Sequence, residues 1–136
     1  MAFVQQNFID AVVDALKGVG MPVYSTIAPP NEAPPYILVT IVGDIPAVYF
    51  PNSDDFSILL QVDLYDLRHG SEEADGGIRA LREVGEKVKA CLHRQFLTVE
   101  NAGYVNGRCT RRGDVRVETG SMNRIIYEFI FMGSET

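Results

Sequence analysis

PPYILVTIV at residues 34–42 and SILLQVDLYD at residues 57–66 decide how this chain folds. Both are runs of β-branched, aliphatic and aromatic side chains, the composition that suits a pleated, half-buried surface. The first opens on a double proline, which cannot donate ladder hydrogen bonds and so marks where the strand begins. The second alternates: Ile58, Leu60, Val62 and Leu64 point one way, and Leu59, Gln61, Asp63 and Tyr65 the other. One face of the resulting sheet is purely aliphatic. The other mixes polar, charged and aromatic groups in a way that plain solvent exposure would not require.

Helical patterns lie outside these two strands. Phe8, Ile9, Val12, Val13 and Leu16 recur at three- and four-residue spacing and make one apolar stripe on a helix over residues 3–17. Gly18 and Gly20 are read as its left-handed stop, and Pro22 prevents resumption. A short strand over residues 23–27 follows, then the stiff proline-rich connection APPNEAPP at residues 28–35. A second helix spans residues 71–94, with Ser71 as N-cap and Glu72 and Glu73 in its first turn. Its inward face is Ala74, Ile78, Leu81, Gly85, Val88 and Leu92, while Lys87, Lys89, His93 and Arg94 suit its negative C-terminal end. The last third reads as strands over residues 96–99, 103–111, 114–118 and 123–132. In the final strand Ile125, Tyr127, Phe129 and Phe131 share one face. The expected fold is a single α+β domain over residues 1–136, a small mixed, mostly antiparallel sheet with both helices packed on one face. Phe8, Val12, Leu16, Leu60, Val62, Leu81, Val88, Phe129 and Phe131 should form its core.

Bulk composition narrows the function classes. The 136 residues suit one domain, and 46% hydrophobic with 22% charged residues is ordinary for a folded protein. A net charge of −6 argues against nonspecific binding along nucleic acid as the main task, although it leaves room for a local basic patch. The N-terminus lacks the basic start and unbroken apolar run of a signal peptide, and no stretch reaches the roughly 18 apolar residues of a membrane span. No membrane role is expected. Cys91 and Cys109 sit in unrelated contexts and read as reduced thiols of an intracellular product.

A search for chemistry finds little. The neighbours Asp54–Asp55 and Glu72–Glu73 are explained by solvation and capping, and Asp63 has no second acid at a useful spacing. His69 and His93 complete no metal-ligand cluster, and no nucleophile elbow, P-loop or dinucleotide glycine pattern occurs. No catalytic residue, cofactor or metal is therefore assigned. Two segments invite an interaction reading instead. The loop over residues 43–55 carries Val48, Tyr49 and Phe50, which either dock on a partner or fold back on their own sheet. That loop is expected to be mobile in an isolated subunit and ordered in an assembly. RCTRRGDVR at residues 108–116 holds four arginines, with Arg108 and Arg112 at the same strand parity. It reads either as a basic stripe for phosphate or acidic protein, or as a solvated hairpin tip or edge guarded by charge. The Arg112-Gly113-Asp114 triplet is taken as a turn explained by its glycine.

The helix FIDAVVDAL (residues 8–16), the segment VYSTIAPPNEAPPYILV (residues 23–39), LLQVDLYD (residues 59–66) and the close IIYEFIF (residues 125–131) together resemble the tail terminator (tail completion) proteins of long-tailed bacteriophages. The resemblance spans most of the chain and is one of element order and style; the apolar loop at residues 43–55 departs from it. It implies a non-enzymatic virion protein, made in the bacterial host cytoplasm and placed at the head-proximal end of the tail. There it would form a homo-oligomeric ring, a hexamer in that family, on the last ring of the tail tube protein. It would stop polymerisation and offer a surface to the head connector or head completion protein, with DNA passing through the lumen without sequence-specific contacts. Candidate interface residues are Val48, Tyr49, Phe50, Asp54, Asp55, Asp63, Tyr65, Arg108, Arg111, Arg112, Glu128 and Ile130. The ring's two head-to-tail patches are taken as the mixed face around Asp63, Tyr65, Glu128 and Ile130, and the basic run facing Asp54 or Asp55 of a neighbour. Two other readings stay open: a small-ligand-binding α+β module that uses the same mixed face as a pocket, or another head–tail connector component.

Overall fold

The computed structural model describes residues 5–25, 35–46, 55–67, 78–100, 102–116 and 122–135. Two helices, α1 (Gln5–Ala15) and α2 (Ile78–Leu92), accompany five strands: β1 (Val23–Ser25), β2 (Tyr36–Pro46), β3 (Asp55–Leu67), β4 (Ala102–Arg116) and β5 (Met122–Glu135). The sheet order is β1-β2-β3-β5-β4. Only β1 and β2 run parallel; every other neighbouring pair is antiparallel. This is the expected α+β architecture.

The aliphatic face of β3 is the core. Ile58, Leu60, Val62 and Leu64 are at most 1% exposed, and in register with them on β5 stand Phe131, Phe129, Tyr127 and Ile125, all fully buried. Both helices close over this one face. Phe8, Val12 and Leu16 come from α1, and Leu81, Val88 and Leu92 from α2. Phe8 meets Phe131 edge-on, with ring centroids 5.0 Å apart. Every residue named from the sequence as core is buried. Two glycines make the closeness possible. A Cβ on Gly107 would stand 2.3 Å from the Phe131 ring, and one on Gly85 would stand 2.6 Å from the Tyr127 hydroxyl. Gly107 therefore lets an aromatic ring on β5 lie flat across β4, and Gly85 lets α2 sit down on Tyr127.

Several boundaries differ from expectation. α1 does end in a turn, but only Gly20, at φ +94°, takes the left-handed conformation. α2 ends without a glycine: Arg94 adopts φ +58°, and its N–H is held by the carbonyl of Gly107 at 2.7 Å. That tertiary hydrogen bond offsets the steric cost an arginine meets there. β2 runs beyond Val42 to Pro46, through part of the expected loop, and Asp55 already belongs to β3. A bulge at Val42 absorbs the extra residue, leaving that side chain 54% exposed. Pro46 is accommodated because it closes the strand. Residues 47–54, with Val48, Tyr49, Phe50 and Asp54, lie outside the described residues, as do residues 68–77 with the N-cap and first-turn glutamates expected of α2.

The largest correction is in the last third. The strands expected at 103–111 and 114–118 form one continuous β4, so Arg112-Gly113-Asp114 is not a turn. Gly113 pairs with Ile126 within the ladder. A glycine on an edge strand costs some order but forces no reversal, and β5 offers a partner along the whole length. Residues 96–99 form a single bridge, Phe96 to Asn106, rather than a full strand.

Candidate interaction surface

The bulge in β4 rearranges the arginine run. Arg108 pairs with Ile130 and Cys109 with Phe129, yet Arg111 pairs with Glu128 and Arg112 with Tyr127. Thr110 is the inserted residue, its hydroxyl donating to the Glu128 carbonyl at 3.3 Å. An extra residue inverts the side-chain alternation beyond it. Arg108 therefore stands with the mixed face beside Ile130, and Arg112 with the helix-covered face opposite Tyr127. Their shared parity in the sequence does not survive. The side chains of Arg111 and Asp55 are outside the described ones; Asp55 pairs with Ser134 at the start of β3.

Across the mixed face runs a connected set of polar and aromatic groups. Asp63 lies in register between Leu38 on β2 and Ile126 on β5, and is only 3% exposed although no described helix covers it. Its carboxylate accepts from Arg124 Nε at 3.2 Å and Nη2 at 3.0 Å, and from Gln61 Nε2 at 3.0 Å. These charge-assisted bonds allow the burial. The Arg124 guanidinium also lies over the Tyr65 ring, 5.4 Å from its centroid. Tyr65 packs on Tyr36 at 5.2 Å, and Tyr36 meets Tyr24 at 6.2 Å. An aromatic ladder thus crosses β1, β2 and β3 and ends on an arginine of β5. Burial, and secondarily the Asp63 charge, raise the Tyr65 phenol above its ordinary value, while Arg124 pulls the other way. Further along the same face, Leu59, Ile126 and Ile130 are half-buried and Met132 is 57% exposed.

Of the residues singled out from the sequence, the fold brings Asp63, Tyr65, Glu128, Ile130 and Arg108 onto this one surface. Of the basic run expected to form the second patch, Arg108 therefore shares the face of the first, while Arg112 stands on the other face. Gln61 and Arg124, though on the mixed face by strand alternation, and Tyr24 and Tyr36 were not singled out as interface residues from the sequence. Tyr36 and Tyr65 stand directly opposite in the β2–β3 register, and that register is set by tertiary pairing.

A second cluster sits where α2 ends against β4. His93 Nδ1 accepts the backbone N–H of Cys109 at 2.9 Å, so the neutral ring carries its proton on Nε2. Desolvation, followed by the charges of Arg94, Lys89 and Arg108, lowers its pKa below the usual imidazole value. An open groove of about 350 Å³ lies beside it, lined by Glu86, Lys89, Ala90, His93 and Gln95. Another open groove, of about 580 Å³, separates α1 from β1. Among the described residues no group of three or more His, Cys, Asp or Glu side chains is placed to hold a metal ion. No described helix is long and apolar enough to cross a membrane.

Neither a protein-family model nor a curated protein matches this chain. Solved structures do. One is a chain from the virion of a native gene transfer agent particle, with a TM-score of 0.64 and 22% identity, covering 96% of this chain and 90% of that one. Another solved chain is similar at a TM-score of 0.64 with 12% identity, covering 97% of this chain and 94% of its own length. At these identities the likeness is one of fold.

Proposed function

We propose that this chain is a structural virion protein of a long-tailed phage or phage-like particle, and that within the particle it acts as the tail terminator. In this reading six subunits close into a ring on the last ring of tail tube protein, stop its growth, and present a surface to the head connector. DNA passes through the lumen without sequence-specific contacts, and the protein has neither catalytic activity nor a bound cofactor.

One observation carries the reading. The sheet has both helices on one face, while its other face presents a tyrosine ladder, a buried ion pair and half-buried aliphatic side chains with no described element over them. Half-buried aliphatic and aromatic side chains gathered on one uncovered face, with Met132 exposed beside them, offer a surface that a partner can cover. The fold shared with a chain of a gene transfer agent virion makes a virion assembly the natural place to find that partner. The order of elements that resembles tail terminators supplies the finer role.

The test is an assembly experiment. Purified protein examined by native mass and negative-stain electron microscopy should give closed rings. Particles lacking the gene should carry tails of uncontrolled length that do not join heads. Tails of normal length joined to heads in the deletion would overturn the terminator role.

A further inference from the structure

The sheet ends in two unlike edges. On one side β1 is three residues long, and its outer edge faces the groove against α1. Ile9, Val13 and Val23 supply apolar lining there, and the exposed Asp10 and Asp14 stand at the rim. On the other side, the outer edge of β4 is occupied only as far as the bulge. Leu97 donates to Val105, Arg94 to Gly107, and Cys109 to His93. From Thr110 to Arg116 no described strand pairs with that outer edge, and this stretch, with Arg108 just before it, carries the four arginines.

We infer that the two edges are complementary halves of one junction: the β4 edge of one subunit adds as a strand to β1 of the next, in the groove beneath α1. A groove between an edge strand and a helix is the geometry in which an extended segment adds to a sheet. Main-chain bonds hold such a segment, and rim charges select it. Direction agrees. β1 and β2 run one way, β3 the other, β5 the first way again and β4 the other, so a second copy in the same orientation brings β4 against β1 antiparallel. Charge agrees as well. Among the described residues Asp10 is held by Gln6 at 2.8 Å and Asp14 by Lys17 at 3.0 Å. Both are exposed contacts that Arg112 of an incoming strand, on the same helix-covered face, can replace. A short strand and a bulged, charged edge also discourage indiscriminate pairing, so the opposed charges make the junction selective as well as possible. The contact is heterologous and closes into a ring when the rotation permits. It leaves the tyrosine face free for a different partner.

The inference rests on the ring reading above, and its test separates the two. At low salt, native mass is compared for the wild type, for Asp10→Lys with Asp14→Lys, and for Arg112→Glu, the arginine on the same face as α1. Each variant should fall from ring to single subunit with an unchanged far-ultraviolet circular dichroism spectrum. Mixed one to one, the two should rebuild a ring of alternating subunits, because arginine then meets aspartate at one junction and glutamate meets lysine at the next. Combining all three changes in one chain should restore the ring as well. Should the arginine variant misfold, the α1 variant, altered only at exposed helix positions, decides alone. A wild-type ring whose mass neither variant changes overturns the edge pairing and leaves the ring standing. A wild type that stays monomeric at assembly concentrations overturns both.

Discussion

Gly107 is the residue on which the tightest packing depends. Its missing Cβ is where the Phe131 ring lies, 2.3 Å from the position that Cβ would take. Phe131 is fully buried and wedged against Phe8, so it has little freedom to move aside. Gly107→Ala should therefore destabilise the fold by about 1–3 kcal/mol, the usual range for overpacking, as read from urea melts. An unchanged midpoint would mean that the ring repacks at little cost. Gly85 plays the same part beneath α2, where a Cβ would strike Tyr127. Among the described residues the buried Tyr127 hydroxyl finds no partner of good hydrogen-bonding geometry. Burial raises its pKa, while the nearby Arg112 charge draws it back.

At the scale of elements, the bulge at Thr110 and the helix end at Arg94 are parts of one arrangement. Residues 94–97 run back along β4, and His93 accepts the Cys109 N–H just before the bulge. The His93 pKa is lower in the fold than in the unfolded chain, so its contribution is fully present above about pH 6.5. As pH falls toward the folded pKa, the unfolded state takes up the proton first and that stability is lost. His93→Gln should consequently lag the wild type in stability near pH 7.5, and the gap should narrow by pH 5. A gap independent of pH would show that the imidazole does not titrate against this contact. On the opposite face, Asp63 joins β3 to β5 through Arg124. Asp63→Asn keeps the shape but removes the charge from a buried contact in which Arg124 Nε and Nη2 both bond Asp63 Oδ1. The expected loss is about 1.5–3 kcal/mol, typical of hydrogen bonds to charged groups, measured by chemical denaturation.

For the whole molecule, the sheet has helices over one face and no described element over the other, the face that the proposed partner would cover. Ile130 and Met132 lie at the margin of that surface, the second 57% exposed. Ile130→Lys with Met132→Lys should leave the melting temperature within a few degrees of wild type, since neither residue belongs to the helix-covered core. The same pair should reduce incorporation into particles, measured as the amount of this protein in purified virions. Normal incorporation would place the partner surface elsewhere.

The alternation that sorts β3 and β5 into a core face and a mixed face can be read along the chain, as can the stripes of α1 and α2 that seal the core. Periods of two and of about three and a half are local properties, and burial follows them wherever one face is consistently apolar. Ile58 to Leu64 and Ile125 to Phe131 were legible for that reason. Tertiary structure alone decided the register that sets Tyr36 against Tyr65, the Arg124–Asp63 pair, and the bulge that sends Arg108 and Arg112 to opposite faces. It also joined two expected strands through Gly113, because β5 offered a ladder partner that no local signal reveals. Pairing partners lie far apart in the chain, 61 residues for Asp63 and Arg124, and one inserted residue inverts every side chain after it.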